Sequence, residues 1–214
     1  MDITSIEQLI ADCNARNLLA PLALKPDDKD FPLIVGASFP EGRENKPFFV
    51  DYELDVVWGA GQPSKKFVVR SNINGAGAIA LAVVDKKIVL VRQYRVNLGR
   101  YTWEVPRGFS EKWDSGNETT KDTLPKGLAT ALREVNEEAG TAGCSIVPYF
   151  LGVMAENSGT GVGSPAYWLL DMAGFDASNP NVKLVSEDEA IGLAEDNHTS
   201  AALVLYQRHL RKKS

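Results

Sequence analysis

Arg133-Glu134-Val135-Asn136-Glu137-Glu138-Ala139-Gly140 is the stretch on which the interpretation of this chain turns. At about 100° per residue, Glu134, Glu137 and Glu138 fall on one helix face, turned away from Leu128, Leu132 and Val135. Three carboxylates held this close repel one another and weaken the helix unless a cation neutralises them. Hard divalent ions prefer carboxylate oxygen, so a cluster for Mg²⁺ or Mn²⁺ is one interpretation. The other is a solvated face with a single i,i+4 pair, Arg133 to Glu137, worth about 0.2–0.5 kcal/mol. Spacing alone leaves both open, and solvated Glu-rich faces are the commoner case.

Working outward, Pro125 suits a first helical turn and Gly140 the position just past the end, so the helix is expected over 125–139. Leu128, Ala131, Leu132, Val135 and Ala139 recur at the 3.6 period and form an apolar face that packs on a core. Upstream, 48–58 and 67–70 have strand character on either side of a Gly/Pro turn. Residues 76–84 and 87–94 are apolar, β-branched runs joined at Asp85-Lys86, which predicts a hairpin. Downstream, strands are expected near 146–153, 165–171 and 182–185. Ser186-Glu187-Asp188-Glu189 has the form of a capping box that opens a short helix, and a last helix is expected over 199–211. At the start, Thr4-Ser5-Ile6-Glu7 opens a helical pattern to about Leu19, and 21–47, rich in Pro, Asp, Lys and Gly, has the character of irregular connection. Strands and helices without regular βαβ alternation imply a mixed sheet flanked by helices.

The chain has 214 residues, a size that favours one domain or one domain with an arm. Its composition, 44% hydrophobic and 24% charged, excludes disordered, collagen-like and coiled-coil classes. The longest apolar run is far below the roughly 20 residues that span a bilayer. The first residues, MDITSIEQLIADCNARN, lack the basic start and apolar centre of a secretory signal, so a cytoplasmic location is expected. A net charge of −5 argues against general nucleic-acid or anionic-membrane binding. Cys13 and Cys144 match neither a disulfide framework nor a zinc spacing.

Residues 133–140 resemble the second half of the Nudix box, G-x5-E-x7-R-E-U-x-E-E-x-G-U with U a bulky aliphatic. Val91-Arg92-Gln93-Tyr94-Arg95, followed by Trp103-Glu104-Val105-Pro106-Arg107-Gly108, is similar to the VRQYR and WELPAG runs of ADP-ribose pyrophosphatases. The tail over 187–210 also looks like the final helices of that subfamily. The resemblance covers roughly 48–212 and departs in places. Between Gly108 and Arg133 lie 24 residues where the family pattern has 13, so 11 are inserted. Asp114 stands six after Gly108, Glu118 is out of register, and Thr141 replaces the final aliphatic.

The resemblance implies a Nudix α/β/α sandwich with a mixed β-sheet over 72–214, preceded by an N-terminal helix, linker and β arm over 1–71 that makes a homodimer. It also implies metal-dependent hydrolysis of the pyrophosphate bond of ADP-ribose or a related nucleoside diphosphate sugar, giving a nucleoside monophosphate and a sugar phosphate. Mg²⁺, or Mn²⁺, would be held by Glu134 and Glu138, then Glu137, with the backbone carbonyl of Arg107 as a further ligand. Arg133 would orient the carboxylates. Arg95 aligns with a phosphate-binding arginine of the subfamily. Arg107, where the family often has Ala, is a candidate further phosphate contact, and Arg92 is either that or a strand-surface charge. Glu104 is expected to have a structural role. Glu156, on the loop over 154–164, and Glu137 are the two candidate catalytic bases. His198 and His209 have no evident partner, and the basic end over 208–213 suits a helix C-terminus. Phe49, Tyr52 and Trp58 are expected to pack on the sheet, and the resemblance makes one of them a candidate for stacking on a base. Because the loop half of the box is rebuilt, the alternative is a Nudix-fold nucleotide-binding protein without catalysis.

Overall fold

The computed structural model describes residues 33–38, 49–57, 63–72, 77–111, 127–155 and 164–213. The expected N-terminal helix, Asp114, Glu118, Pro125, Glu156 and Trp58 lie outside them, as do the side chains of Phe49 and Tyr52. The chain falls into two compact units, Met1–Ala76 with Ala155–Ser164, and Gly77–Met154 with Pro165–Ser214.

The first unit holds an antiparallel sheet of β1 (Leu33–Ser38), β2 (Phe49–Val57) and β3 (Lys65–Asn72), in that order. β1 corrects the expectation of irregular connection over 21–47. Its residues, LIVGAS, form too short a run to stand out among the Pro- and Asp-rich residues around them, and its pairing with β2 defines it. Asp51 and Arg70 are directly opposed across β2 and β3 and meet in a fork, Nε to Oδ1 at 2.8 Å and Nη2 to Oδ2 at 3.2 Å. Such a two-bond pair fixes strand register as well as adding stability.

The second unit is built on a mixed seven-stranded sheet, β10-β5-β4-β9-β8, with β6 paired to β5 and β7 paired to β4. The strands are β4 (Ala78–Val84), β5 (Lys87–Arg95), β6 (Arg100–Glu104), β7 (Arg107–Gly108), β8 (Ser145–Val153), β9 (Ala166–Ala173) and β10 (Val182–Val185). The central β4 is buried at every position and pairs parallel to β9, as expected for a strand covered on both faces. Asp85 and Lys86, with φ of 47° and 64°, turn the expected β4–β5 hairpin in the mirror-image geometry that suits strand twist.

Among the described residues, three helices cover the sheet: α1 (Leu128–Ala139) on one face, and α2 (Glu187–Leu193) and α3 (Asn197–Lys213) on the other. Leu128, Ala131, Val135 and Ala139 of α1 pack on Ala78, Ala80, Ala82, Val89, Val91 and Trp168. The opposite layer joins Ile79, Leu81, Ile88 and Leu90 to Ala190, Ala202, Leu203 and Tyr206. Ser186 caps α2, its hydroxyl accepting from the Glu189 amide at 3.2 Å, as the capping box predicts. Asn136 explains the departure at Thr141: its amide oxygen accepts from the Thr141 hydroxyl at 3.0 Å and backbone N–H at 3.3 Å, locking the turn after α1. No helix among the described residues is long and apolar enough to cross a membrane.

β4 and β7 approach so closely that a Cβ on Gly77 would sit 2.2 Å from the Gly108 carbonyl oxygen, and Gly77 has φ of +79°. Gly77→Ala is therefore expected to cost about 1–3 kcal/mol and to lower Tm by several degrees. A Tm within about 1 °C of wild type would contradict this packing.

Candidate functional site

The site is built where β4 and β5 part beyond their hairpin. Their direct pairing ends at Val83–Ile88, and β6 and β7 fill the gap, with the Pro106 carbonyl accepting from the Ala80 amide at 2.9 Å. β6 and β7 are too short and polar to have been expected from periodicity. The alanines of β4 give α1 a shallow surface, so the helix lies close to the sheet. Gly108 completes the approach: a Cβ there would come 2.0 Å from Glu134 Oε1. Glu134 is consequently buried. The expected face of three carboxylates divides, with Glu134 and Glu138 turned inward and the Glu137 side chain 56% exposed.

Glu138 is held from two sides. Gln93 Nε2 donates to Oε1 at 2.6 Å and the Arg107 backbone N–H donates to Oε2 at 3.2 Å. Burial pushes its carboxyl up to about 7, the charge of Glu134 adds to this, and the Arg107 N–H opposes it. Arg133 bridges the other two acids: Nη1 lies 2.7 Å from Glu134 Oε1 and 3.0 Å from Glu137 Oε2, while Nη2 donates to the Phe109 carbonyl at 2.8 Å. The pair Arg133–Glu137 expected from spacing is present, and it is part of a larger arrangement.

Beside the acids lies a second charge centre. Glu104 is buried and accepts from Arg95 through both oxygens, from the Thr102 hydroxyl, and from Arg107 Nη2 at 2.6 Å. Burial alone would push Glu104 up, but the hydrogen bonds of Arg95 and Thr102 and the charge of Arg107 outweigh it and hold the carboxyl below its ordinary range. The same contact raises Arg95. Arg107 reaches further, its Nη1 donating to Asp196 Oδ1 at 2.7 Å. This gives Glu104 the structural role expected of it.

The geometry thus brings Glu134, Glu138, Arg133, Arg95 and Arg107 into one neighbourhood, with Glu137 at its exposed rim. Arg92 stands apart. By strand alternation it projects with Ile88 and Leu90 to the other face, where its guanidinium lies 4.0 Å over the Tyr101 ring. His198 proves to have a neighbour that its sequence context does not suggest: Nδ1 lies 3.1 Å from the Tyr167 hydroxyl. His209 packs 5.5 Å from the Tyr149 ring. Two further contributors, Gln93 and Asp196, were not singled out from the sequence. Gln93 shares the alternation of Val91 and Arg95, which puts it on the α1 face. Asp196 stands immediately before a helix, as capping residues do.

Among the described residues, no three His, Cys, Asp or Glu side chains converge on one metal position. The donor chemistry nevertheless suits a hard cation. Buried Glu134 and half-buried Glu138 lie close enough for one to raise the other, and Mg²⁺ is commonly held by one or two carboxylates together with water and substrate phosphate.

No family model matches the chain. Over 86 residues it is 38% identical to the methanol dehydrogenase activator of Bacillus methanolicus, a match spanning 40% of each chain. The structure is similar to the crystal structure of an ADP compounds hydrolase, with TM-score 0.61 and 16% identity, covering 86% of this chain and 96% of that one. Such a likeness speaks to fold, and together with the layer order it establishes that the chain has a Nudix-like α/β/α fold with a mixed sheet.

Proposed function

We propose that the protein is a hydrolase of the Nudix type, cleaving the pyrophosphate bond of ADP-ribose or a related nucleoside diphosphate sugar to a nucleoside monophosphate and a sugar phosphate. The observation that carries this is Glu134 buried against Gly108 and half-buried Glu138 held by the Arg107 backbone N–H, with the Arg95 and Arg107 guanidiniums alongside. The likeness to a structure described as an ADP compounds hydrolase supports the substrate class. In this proposal Glu134 and Glu138, with the Arg107 carbonyl, would hold Mg²⁺ or Mn²⁺, and Glu137 at the exposed rim would be the third acid of the set. Bound there, the ion supplies charge neutralisation of the pyrophosphate and a lowered pKa for the attacking water. Arg133 sets the Glu134 and Glu137 carboxylates, and Gln93 fixes Glu138. Arg95, whose side chain is 35% exposed, offers its outer edge to phosphate oxygens. Water adds to phosphorus, the bridging P–O bond breaks, and Glu137 or Glu156 takes the proton. The N-terminal β arm makes the homodimer of this proposal, and light scattering should give twice the chain mass.

One observation favours a second interpretation, nucleotide binding without turnover: the Arg133 guanidinium already neutralises Glu134. A panel of nucleoside diphosphate derivatives, assayed with and without Mg²⁺ or Mn²⁺ for phosphomonoester release, separates the two. Turnover of a nucleoside diphosphate sugar that stops in chelator is the expected result. Tight binding of ADP-ribose with no product in either metal would overturn the hydrolase proposal.

A further inference from the structure

We propose that Asp196 is a positioning residue that braces Arg107, so that the α3 N-terminus fixes the Arg107 backbone N–H against Glu138. Asp196 Oδ1 accepts three bonds: from Arg107 Nη1 at 2.7 Å, the His198 amide at 2.9 Å and the Thr199 amide at 3.1 Å. Oδ2 is buried and has no partner among the described residues. A helix cap needs one oxygen, which Asn supplies equally well. The second, buried oxygen serves no cap, and it adds negative charge beside a guanidinium that is only 19% exposed. Glu104 grips the other side of the same guanidinium at 2.6 Å. Held between Glu104 and Asp196, the Arg107 side chain anchors β7, a strand of only two residues. The backbone N–H of Arg107 is what meets Glu138 Oε2. Asp196 therefore acts on Glu138 through Arg107, from an element on the opposite face of the sheet.

The catalytic consequence rests on the hydrolase proposal; the structural one does not, and the test keeps them apart. Asp196→Asn retains the cap and removes the charge, and Asp196→Ser is a second capping variant. In amide hydrogen exchange of the full chain, Asp196→Asn is expected to speed exchange at Arg107 about tenfold, with His198 and Thr199 unchanged. With ADP-ribose and Mg²⁺, kcat should fall about tenfold with KM within about threefold. Unchanged exchange at Arg107 in both variants would overturn the brace. Altered exchange at Arg107 in a protein that turns over no substrate would support the brace and count against the hydrolase proposal alone. Changed exchange with undiminished kcat would overturn the action on Glu138.

Discussion

Glu138→Gln should lower turnover by about 10- to 100-fold while making the metal-free protein more stable above neutral pH. The two effects share one cause. Burial first, and the Glu134 charge second, raise the Glu138 carboxyl from 4.5 to about 7 in the folded protein. The folded state therefore holds a proton that the unfolded chain has released between those values. Stability from this group is fully present below about pH 4.5 and is lost as the pH rises through about 7, a fall on the order of 3 kcal/mol. Glutamine matches the size of glutamate but does not ionise, so the variant should show no such fall. Urea unfolding in chelator at pH 5 and pH 8 reads the difference, and phosphomonoester release reads the other half. Equal pH slopes for the two proteins would contradict the burial of Glu138. Unchanged turnover would remove it from the metal-binding set.

The largest stability effect should come from Glu104. Glu104→Ala leaves the Arg95 and Arg107 guanidiniums without the carboxylate between them. Removing one member of a buried, hydrogen-bonded charge set costs about 3–5 kcal/mol, a shift of about 1–2 M in the urea midpoint. Glu104→Gln keeps the volume and one acceptor oxygen, so it should lose less. The pH dependence is opposite to that of Glu138. Because the bonds to Arg95 and Thr102 hold Glu104 below its ordinary range, its contribution is present above about pH 4.5 and is lost as the pH falls through the lower folded value. A Glu104→Ala midpoint close to wild type would mean that the two arginines find other partners.

Much of the fold was legible because periodicity is a local signal. The apolar period of Leu128, Ala131, Val135 and Ala139 placed α1, and the buried runs on either side of Asp85-Lys86 placed the central hairpin. Ser186 and Glu189 marked the start of α2 within one turn. β1, β6 and β7 were not legible, since a strand of two to six residues exists by virtue of its neighbours' hydrogen bonds. The candidate acids were likewise legible as a trio, and their division was not. Glu134 and Glu137 are three residues apart on one helix, yet one is buried against Gly108 and the other faces solvent.

The sequence by itself determined which residue types are present at which spacing: a carboxylate-bearing helix, an apolar face beneath it, and arginines on a nearby strand. Strand alternation also separated Arg92 from Gln93 and Arg95, although which face met the acids could not be known from β5 alone. Tertiary structure decided what each charge touches. Gln93 lies 45 positions from Glu138, and Arg107 lies 89 from Asp196, so no local pattern links them. Such contacts arise only when the sheet brings β5, β7 and the α3 N-terminus together. Whether each of these carboxylates is charged depends on burial set against the hydrogen bonds and charges that the fold brings to it. That is why Glu138 is pushed up and Glu104 held down although both are glutamates beside arginine.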